Sequence, residues 1–302
     1  MLTYAGMWWA DGHRFVSWAA PSIDVIKGTK QALEVARVPR ISRSCTNVRG
    51  HGGVKRSVVF VHARLRALPF IARFDIRSYY ETMDHSVLNR IITDALVPPK
   101  LVSVVQEYLA VPDVRSTGRG MVAGGSLSPL LGAIYLSPLD TAIEDLREHC
   151  DVDYIRYADD FIIMARTRFL LRRAIARMHQ VLTDLRLQVH PDKRFIGRAE
   201  RGCDFLGFVL HPHRHLEPSP VSIQCLCERA YVNVPVGFMS TEPTTNGSDD
   251  TFTTGTCGSP AALATSRTHE HMKPGTGNSS SNTAVLTYQC TYLRKPPAHT
   301  PP

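Results

Sequence analysis

Two β-rich runs, Val152 to Tyr157 and Phe161 to Ala165, stand either side of Ala158-Asp159-Asp160. Runs of that length and composition, joined by a short polar connection, read as a β-hairpin. The second run is apolar at every position, so both of its faces must be covered and its sheet lies inside the molecule. The hairpin tip then carries two adjacent carboxylates on a rigid support. Aspartate favours turns for its own hydrogen-bonding reasons, and an isolated Asp-Asp usually means no more than that. A cation beside the pair would relieve its repulsion, and other parts of the chain favour that reading.

Upstream, Phe70 to Tyr80 alternates as a strand, with Phe70, Ala72, Phe74 and Ile76 on one face and Asp75 on the other near its end. An acid at the end of a buried strand is costly unless it is solvated, paired or bound to metal. Asp84 is placed to cap a helix whose Leu88, Ile91, Ile92 and Ala95 recur at helical spacing. Pro98-Pro99 stops it, and a second helix presents Leu101, Val104, Val105, Tyr108 and Leu109. Gly118 to Leu131 is a glycine-rich turn entering a third helix, with Ser128 as N-cap and Pro129 as its first residue. Pro138 predicts a kink there.

Thr167 to Leu185 is a long amphipathic helix whose outer arginines, Arg168, Arg172, Arg173 and Arg177, form a solvated face. His190 to Gly197 and Cys203 to Leu210 read as a last hairpin joined through Glu200 to Gly202. Nearer the start, Cys45 to Ser57 is a glycine-rich turn leading into a basic segment with Lys55 and Arg56. It reads equally well as a phosphate cradle and as a plain loop before a solvated helix.

This order gives an α+β layout, β-α-β-β-α-β, in which an antiparallel sheet is covered by helices on one face. Adjacent strand ends gather Asp75, Asp159 and Asp160, an oxygen-ligand set suited to magnesium, which takes one or two carboxylates plus substrate phosphates. Two such ions lower the pKa of an attacking hydroxyl and neutralise a leaving pyrophosphate. The formal net charge of +8 favours a polyanionic partner over an acidic small molecule.

With 43% hydrophobic residues over 302, the chain can bury a substantial core. From Glu217 the composition shifts to Thr, Ser, Pro, Gly and Asn without apolar stripes, which predicts a disordered low-complexity tail over 217–302. The seven cysteines are scattered without a Cys-x-x-Cys pair, so neither a disulfide framework nor a structural zinc site is indicated. No apolar run of membrane-spanning length exists, and Trp8, Trp9, Asp11 and His13 occupy the place of a signal peptide's apolar core. A cytoplasmic protein without a membrane partner is the expectation.

Five stretches in succession resemble the palm motifs of bacterial reverse transcriptases, RNA-directed DNA polymerases, and most closely those of group II intron and related retroelement enzymes. They are Phe74 to His85, Gly124-Gly-Ser-Leu-Ser-Pro-Leu-Leu131, Tyr157-Ala-Asp-Asp160, His190-Pro-Asp-Lys193 and Phe205-Leu-Gly-Phe208. The resemblance implies a right-hand polymerase palm over 70–216 with a fingers insertion at about 86–120, after an N-terminal and fingers region over 1–69. It implies two Mg2+ ions, replaceable by Mn2+, on Asp75 and Asp159 with Asp160 in support, and Lys193 as the proton donor to pyrophosphate. Tyr80 corresponds to the aromatic gate against a ribose 2′-hydroxyl. Ile76, Gly124, Gly125, Ser128 and Pro129 correspond to the nucleotide pocket, and Phe205, Leu206, Gly207 and Phe208 to the primer grip. Lys55 and Arg56 stand in for the fingers Lys/Arg pair.

The implied partners are an RNA template, a DNA or RNA primer and dNTPs, with a cognate intron or structured RNA also in view. Two departures are plain. Val122-Ala123-Gly124 replaces the family's Pro-Gln-Gly, and no three-turn apolar stripe after Glu217 supplies the helical thumb. These leave a second expectation open, a retroelement remnant or maturase-like RNA-binding protein with weak or no catalysis.

Overall fold

Alternation along three apolar strands builds a four-stranded sheet that carries the aspartates at one end. The computed structural model describes residues 1–10, 13–36, 41–111, 117–122 and 125–232. In chain order, β1 (Tyr4–Ala10) and β2 (His13–Trp18) pair antiparallel ahead of α1 (Ala20–Ala36). Next come α2 (Gly53–Arg64), β3 (Phe70–Asp75), a short α3 (Tyr79–Thr82), α4 (His85–Asp94) and α5 (Pro99–Ala110). Then follow α6 (Ser128–Tyr135), α7 (Ser137–His149), β4 (Val152–Tyr157), β5 (Asp160–Ala165) and α8 (Arg168–Asp184). The described chain closes with β6 (Phe195–Arg198), β7 (Cys203–Phe205), β8 (Phe208–Leu210), β9 (Glu217–Pro218) and α9 (Pro220–Val232).

The central sheet has the order β4-β5-β3-β6, with antiparallel neighbours throughout. Period-2 alternation sends Ala72, Phe74, Tyr154, Phe161 and Ile163 to one face, where they pack with Leu131 and Ile134 of α6, Leu139 and Ile143 of α7, and Leu171 and Met178 of α8. On the other face Ile71, Ile155, Ile162 and Met164 meet Val58 and Val61 of α2, with Phe205 and Leu210 of the three-stranded β7-β8-β9 sheet. Helices α6 to α8 thus cover one face as anticipated. The second face has its own cover, which is why β5 is apolar on both sides. Each of these fully buried large side chains contributes roughly 1.5–3 kcal/mol.

The stretch 1–69 divides between the two cores: Ile26 and Leu33 of α1 join the first, with Val105 and Tyr108 of α5, whereas α2 belongs to the second. Asp84 caps α4 as its spacing predicts, accepting hydrogen bonds from the Ser86 and Val87 amides at 3.0 and 3.2 Å. Burial pushes its pKa up, but the Ser86 hydroxyl, Arg186 and the Val87 amide outweigh that and bring it down to about 2. The kink foreseen at Pro138 is a break at Leu136 between α6 and α7.

Two sequence expectations need correction. The last hairpin does not form as one unit. β6 instead pairs antiparallel with β3, satisfying an edge that would otherwise lack partners, while a 3₁₀ turn (Ala199–Arg201) and Gly202 at φ 75° redirect the chain into β7. The tail reading also fails over 217–232, where β9 pairs with β8 and α9 follows. Ser219 caps α9, its hydroxyl accepting from the Ser222 amide at 3.2 Å, and Pro220 takes the first helical position. Reading for apolar stripes misses this helix because Val221, Ile223 and Leu226 are exposed. Residues 233–302 lie outside those described. No described helix is long and apolar enough to cross a membrane.

Candidate active site

Strand register brings the distant acids together. Asp75 at the end of β3 is the cross-strand partner of Asp160 at the start of β5, so both side chains leave the same face of the sheet. Asp159 sits in the turn between β4 and β5, after Ala158 in a left-handed conformation at φ 55°. Burial, with the Asp75 carboxylate beside it, pushes the Asp159 pKa up to about 7. Burial likewise raises Asp160, to about 6, although hydrogen bonds from Arg73 hold it back. Both acids are therefore strained electrostatically when ionised.

The two acids of the turn differ in their partners. Both oxygens of Asp160 accept from Arg73, Oδ1 from Nε at 3.0 Å and Oδ2 from Nη2 at 2.7 Å. The remaining Arg73 nitrogen, Nη1, donates to the Asp204 carbonyl on β7. A fork–fork pair of this kind fixes the Asp160 carboxylate and takes one lone pair on each of its oxygens. Within the expected three-carboxylate set, Asp160 is thus the member paired with Arg73. Among the described residues no group of three or more His, Cys, Asp or Glu side chains is placed to hold a metal ion. Two carboxylates in a half-buried, open position still match what magnesium takes when substrate phosphates complete its shell. Lys193 Nζ lies 3.6 Å from Asp75 Oδ2, beside the segment whose His190 amide donates to the Asp75 carbonyl at 2.7 Å.

Tyr80 flanks this cluster. Burial and the nearby Asp159 charge raise its pKa, so the phenol stays protonated. Its ring lies 5.4 Å from that of Tyr79, and Gly132 on α6 leaves room for both, since a Cβ there would stand 3.4 Å from the Tyr80 ring.

Several other candidates fall differently from expectation. The Ile76 side chain, 1% exposed, belongs to the core, and leaves only its main chain to meet a ligand. Ser128 does not cap α6. Its buried hydroxyl donates to the Val122 carbonyl at 2.7 Å and pairs with the Tyr108 hydroxyl at 2.8 Å, because the turn before it folds over α5. Gly125 is required by the same contact: a Cβ there would stand 1.8 Å from the Tyr108 hydroxyl. Gly125→Ala is accordingly expected to cost about 1–3 kcal/mol in urea unfolding, with Tyr108→Phe in the same chain recovering part of the loss. Pro129 is exposed, and Gly124 lies outside the described residues, as does Ala123.

Phe205 is fully buried in the second core, with Leu206 and Phe208 partly buried against it. Leu206 and Gly207 form the turn at φ 50° and 83°, and the Gly207 carbonyl accepts from the Ser219 amide at 2.8 Å, so the start of α9 braces this hairpin. Lys55 and Arg56 stand exposed on the first turn of α2.

Sequence reasoning passed over Arg73, Arg156 and Asp140. Arg156, 0% exposed, forms an ion pair with Asp140 of α7, itself 1% exposed. Arg73 and Arg156 share a signal, a charged residue inside a mostly apolar strand, which burial makes costly unless it is paired; Asp140, set in the polar sequence of α7, carries no such signal.

The family model described as "Reverse transcriptase (RNA-dependent DNA polymerase)" matches residues 26–210. No curated protein matches the chain. Among solved structures, telomerase from Candida tropicalis in complex with a TWJ fragment of telomeric RNA is similar at TM-score 0.51 and 14% identity, covering 66% of this chain and 37% of that one. Apo telomerase from Candida tropicalis, truncated from its C-terminal domain, gives TM-score 0.49 at 16% identity, covering 66% and 45%. The chain thus spans less than half the length of these structures, and at such identity the likeness concerns the fold alone.

Proposed function

Since the chain belongs to the reverse transcriptase (RNA-dependent DNA polymerase) family, we propose that it extends a DNA or RNA primer along an RNA template with dNTPs. The observation that carries this reading is the meeting of Asp75, Asp159 and Asp160 at one sheet end, where burial and mutual repulsion raise the pKa of both turn acids. Two magnesium ions bound there supply an activated primer hydroxyl and charge neutralisation at the phosphates. Asp75 and Asp159 would hold them, while Arg73 fixes Asp160 and favours its ionised form. Lys193, exposed beside Asp75, is placed to give a proton to departing pyrophosphate. Tyr80 limits the space beside the sugar. The motif spellings, Tyr-Ala-Asp-Asp above all, support a group II intron or retroelement type.

Primer extension on an RNA template, with dNTPs or ribonucleotides and magnesium or manganese, tests the reading. Wild type is expected to use dNTPs, and Tyr80→Ala to raise ribonucleotide incorporation roughly tenfold, the discrimination that one crowded group supplies. A folded protein that binds RNA but adds no nucleotide with either metal would instead support an RNA-binding role.

A further inference from the structure

The Arg156 guanidinium reaches three separate elements. Nε and Nη2 donate to the two Asp140 oxygens at 2.6 and 2.7 Å, Nη2 also donates to the Ala133 carbonyl on α6 at 2.9 Å, and Nη1 donates to the Ala158 carbonyl at 3.2 Å. Tyr154 completes the acid's shell, its hydroxyl donating to Asp140 Oδ1 at 3.1 Å. The main chain of Arg156 is held as well, its amide donating to the Ser44 carbonyl and its carbonyl accepting from the Thr46 amide, both at 2.9 Å.

Stability does not explain this arrangement. A buried ion pair does little better than a well-packed apolar pair of the same volume, because desolvation consumes most of the attraction. What an apolar pair could not do is donate to Ala158. That residue directly precedes Asp159 and is a non-glycine in the left-handed region, a conformation that persists only where its surroundings over-determine it. A donor on its carbonyl, fixed in turn to α6 and α7, provides that restraint.

We propose that Arg156 is a positioning residue for the active-site turn: anchored by Asp140, it holds the Ala158 peptide and thereby sets where the Asp159 carboxylate stands. What that carboxylate does rests on the polymerase reading; the restraint on the turn does not.

The test replaces both charges, Arg156→Met with Asp140→Leu, which leaves no unpaired buried charge. Hydrogen exchange of the peptide covering residues 157–160 is compared with that covering residues 161–165, alongside kcat and the KM for dNTP. The turn amides are expected to exchange about tenfold faster than in wild type while the β5 amides keep their rates. Extension kcat is expected to fall about 100-fold with KM within about twofold, the signature of a misplaced group in a site that still binds. A folded double variant with wild-type turn exchange, or with wild-type kcat, overturns the proposal.

Should the double variant not fold, Arg156→Lys keeps a charge for Asp140 but lacks the fork needed to reach Ala133 and Ala158 as well. Faster exchange confined to the turn in that variant supports the proposal, and unchanged exchange overturns it. A folded wild type that extends no primer removes the polymerase reading alone, and the exchange comparison still decides the role of Arg156.

Discussion

Asp159→Asn is expected to slow primer extension by about 10³-fold or more, while making the metal-free protein more stable at pH 8. The two effects have one cause. Asp159 is half-buried beside Asp75, and burial together with that neighbouring charge lifts its pKa from 3.8 to about 7. In the unfolded chain the group loses its proton near its ordinary value; in the folded chain it keeps it until near neutrality. The folded state therefore binds more protons between those two values. Its contribution to stability is fully present below the unfolded pKa and is lost as pH rises through the folded one. For Asp159 this amounts to up to about 4 kcal/mol between the limits, and asparagine, which never ionises, removes this share while Asp160, raised to about 6, keeps its own.

Melting temperatures of both proteins from pH 4 to pH 8 in chelator check the sign: wild type falls relative to the variant as pH rises. Magnesium added at pH 8 is expected to raise the wild-type melting temperature, since a ligand of the folded state alone stabilises it, and to leave the variant nearly unmoved. A variant that retains extension, or a wild type indifferent to pH across that range, counts against the assignment of Asp159.

Asp140→Ala is expected to be the most destabilising single change outside the apolar core, about 3–5 kcal/mol, because it leaves the Arg156 guanidinium buried without a counter-ion. The urea midpoint reads this directly. The natural control is Arg64→Ala. Arg64 is 47% exposed and shares Asp153 with Arg147, whose Nε stands 2.8 Å from Oδ1, so Asp153 keeps a partner when Arg64 is removed. The control is expected to lose less than about 1 kcal/mol. Equal losses from the two substitutions would mean that burial of the Arg156 pair is not what makes it costly to break.

Much of the fold was legible because the informative signals are local. The alternation from Phe70, the apolar run of β5 and the Asp84 cap each specify an element from within a few residues; β5 and the cap form where expected, while the strand read over Phe70 to Tyr80 ends at Asp75 because Tyr79 and Tyr80 enter α3. Helix α9 was equally legible, from Ser219-Pro220, but through its cap and not its stripe. The Ser128 hydroxyl was misread for the opposite reason. Its residue type suits a cap, yet Tyr108, distant in sequence, offers it a buried partner. The edge of β3 has likewise a choice of partners that no local pattern encodes, and β6 takes it.

By itself the amino-acid sequence determined the β4-β5 hairpin, the faces of β3 and the three acids, because side-chain periodicity and turn chemistry act over a few residues. Only the tertiary structure decided the charge partners of that trio. Arg73 takes Asp160, Asp75 lies against Asp159, and Arg156 holds the turn from below, since charge partners are selected by distance in a low-dielectric interior and not by separation along the chain.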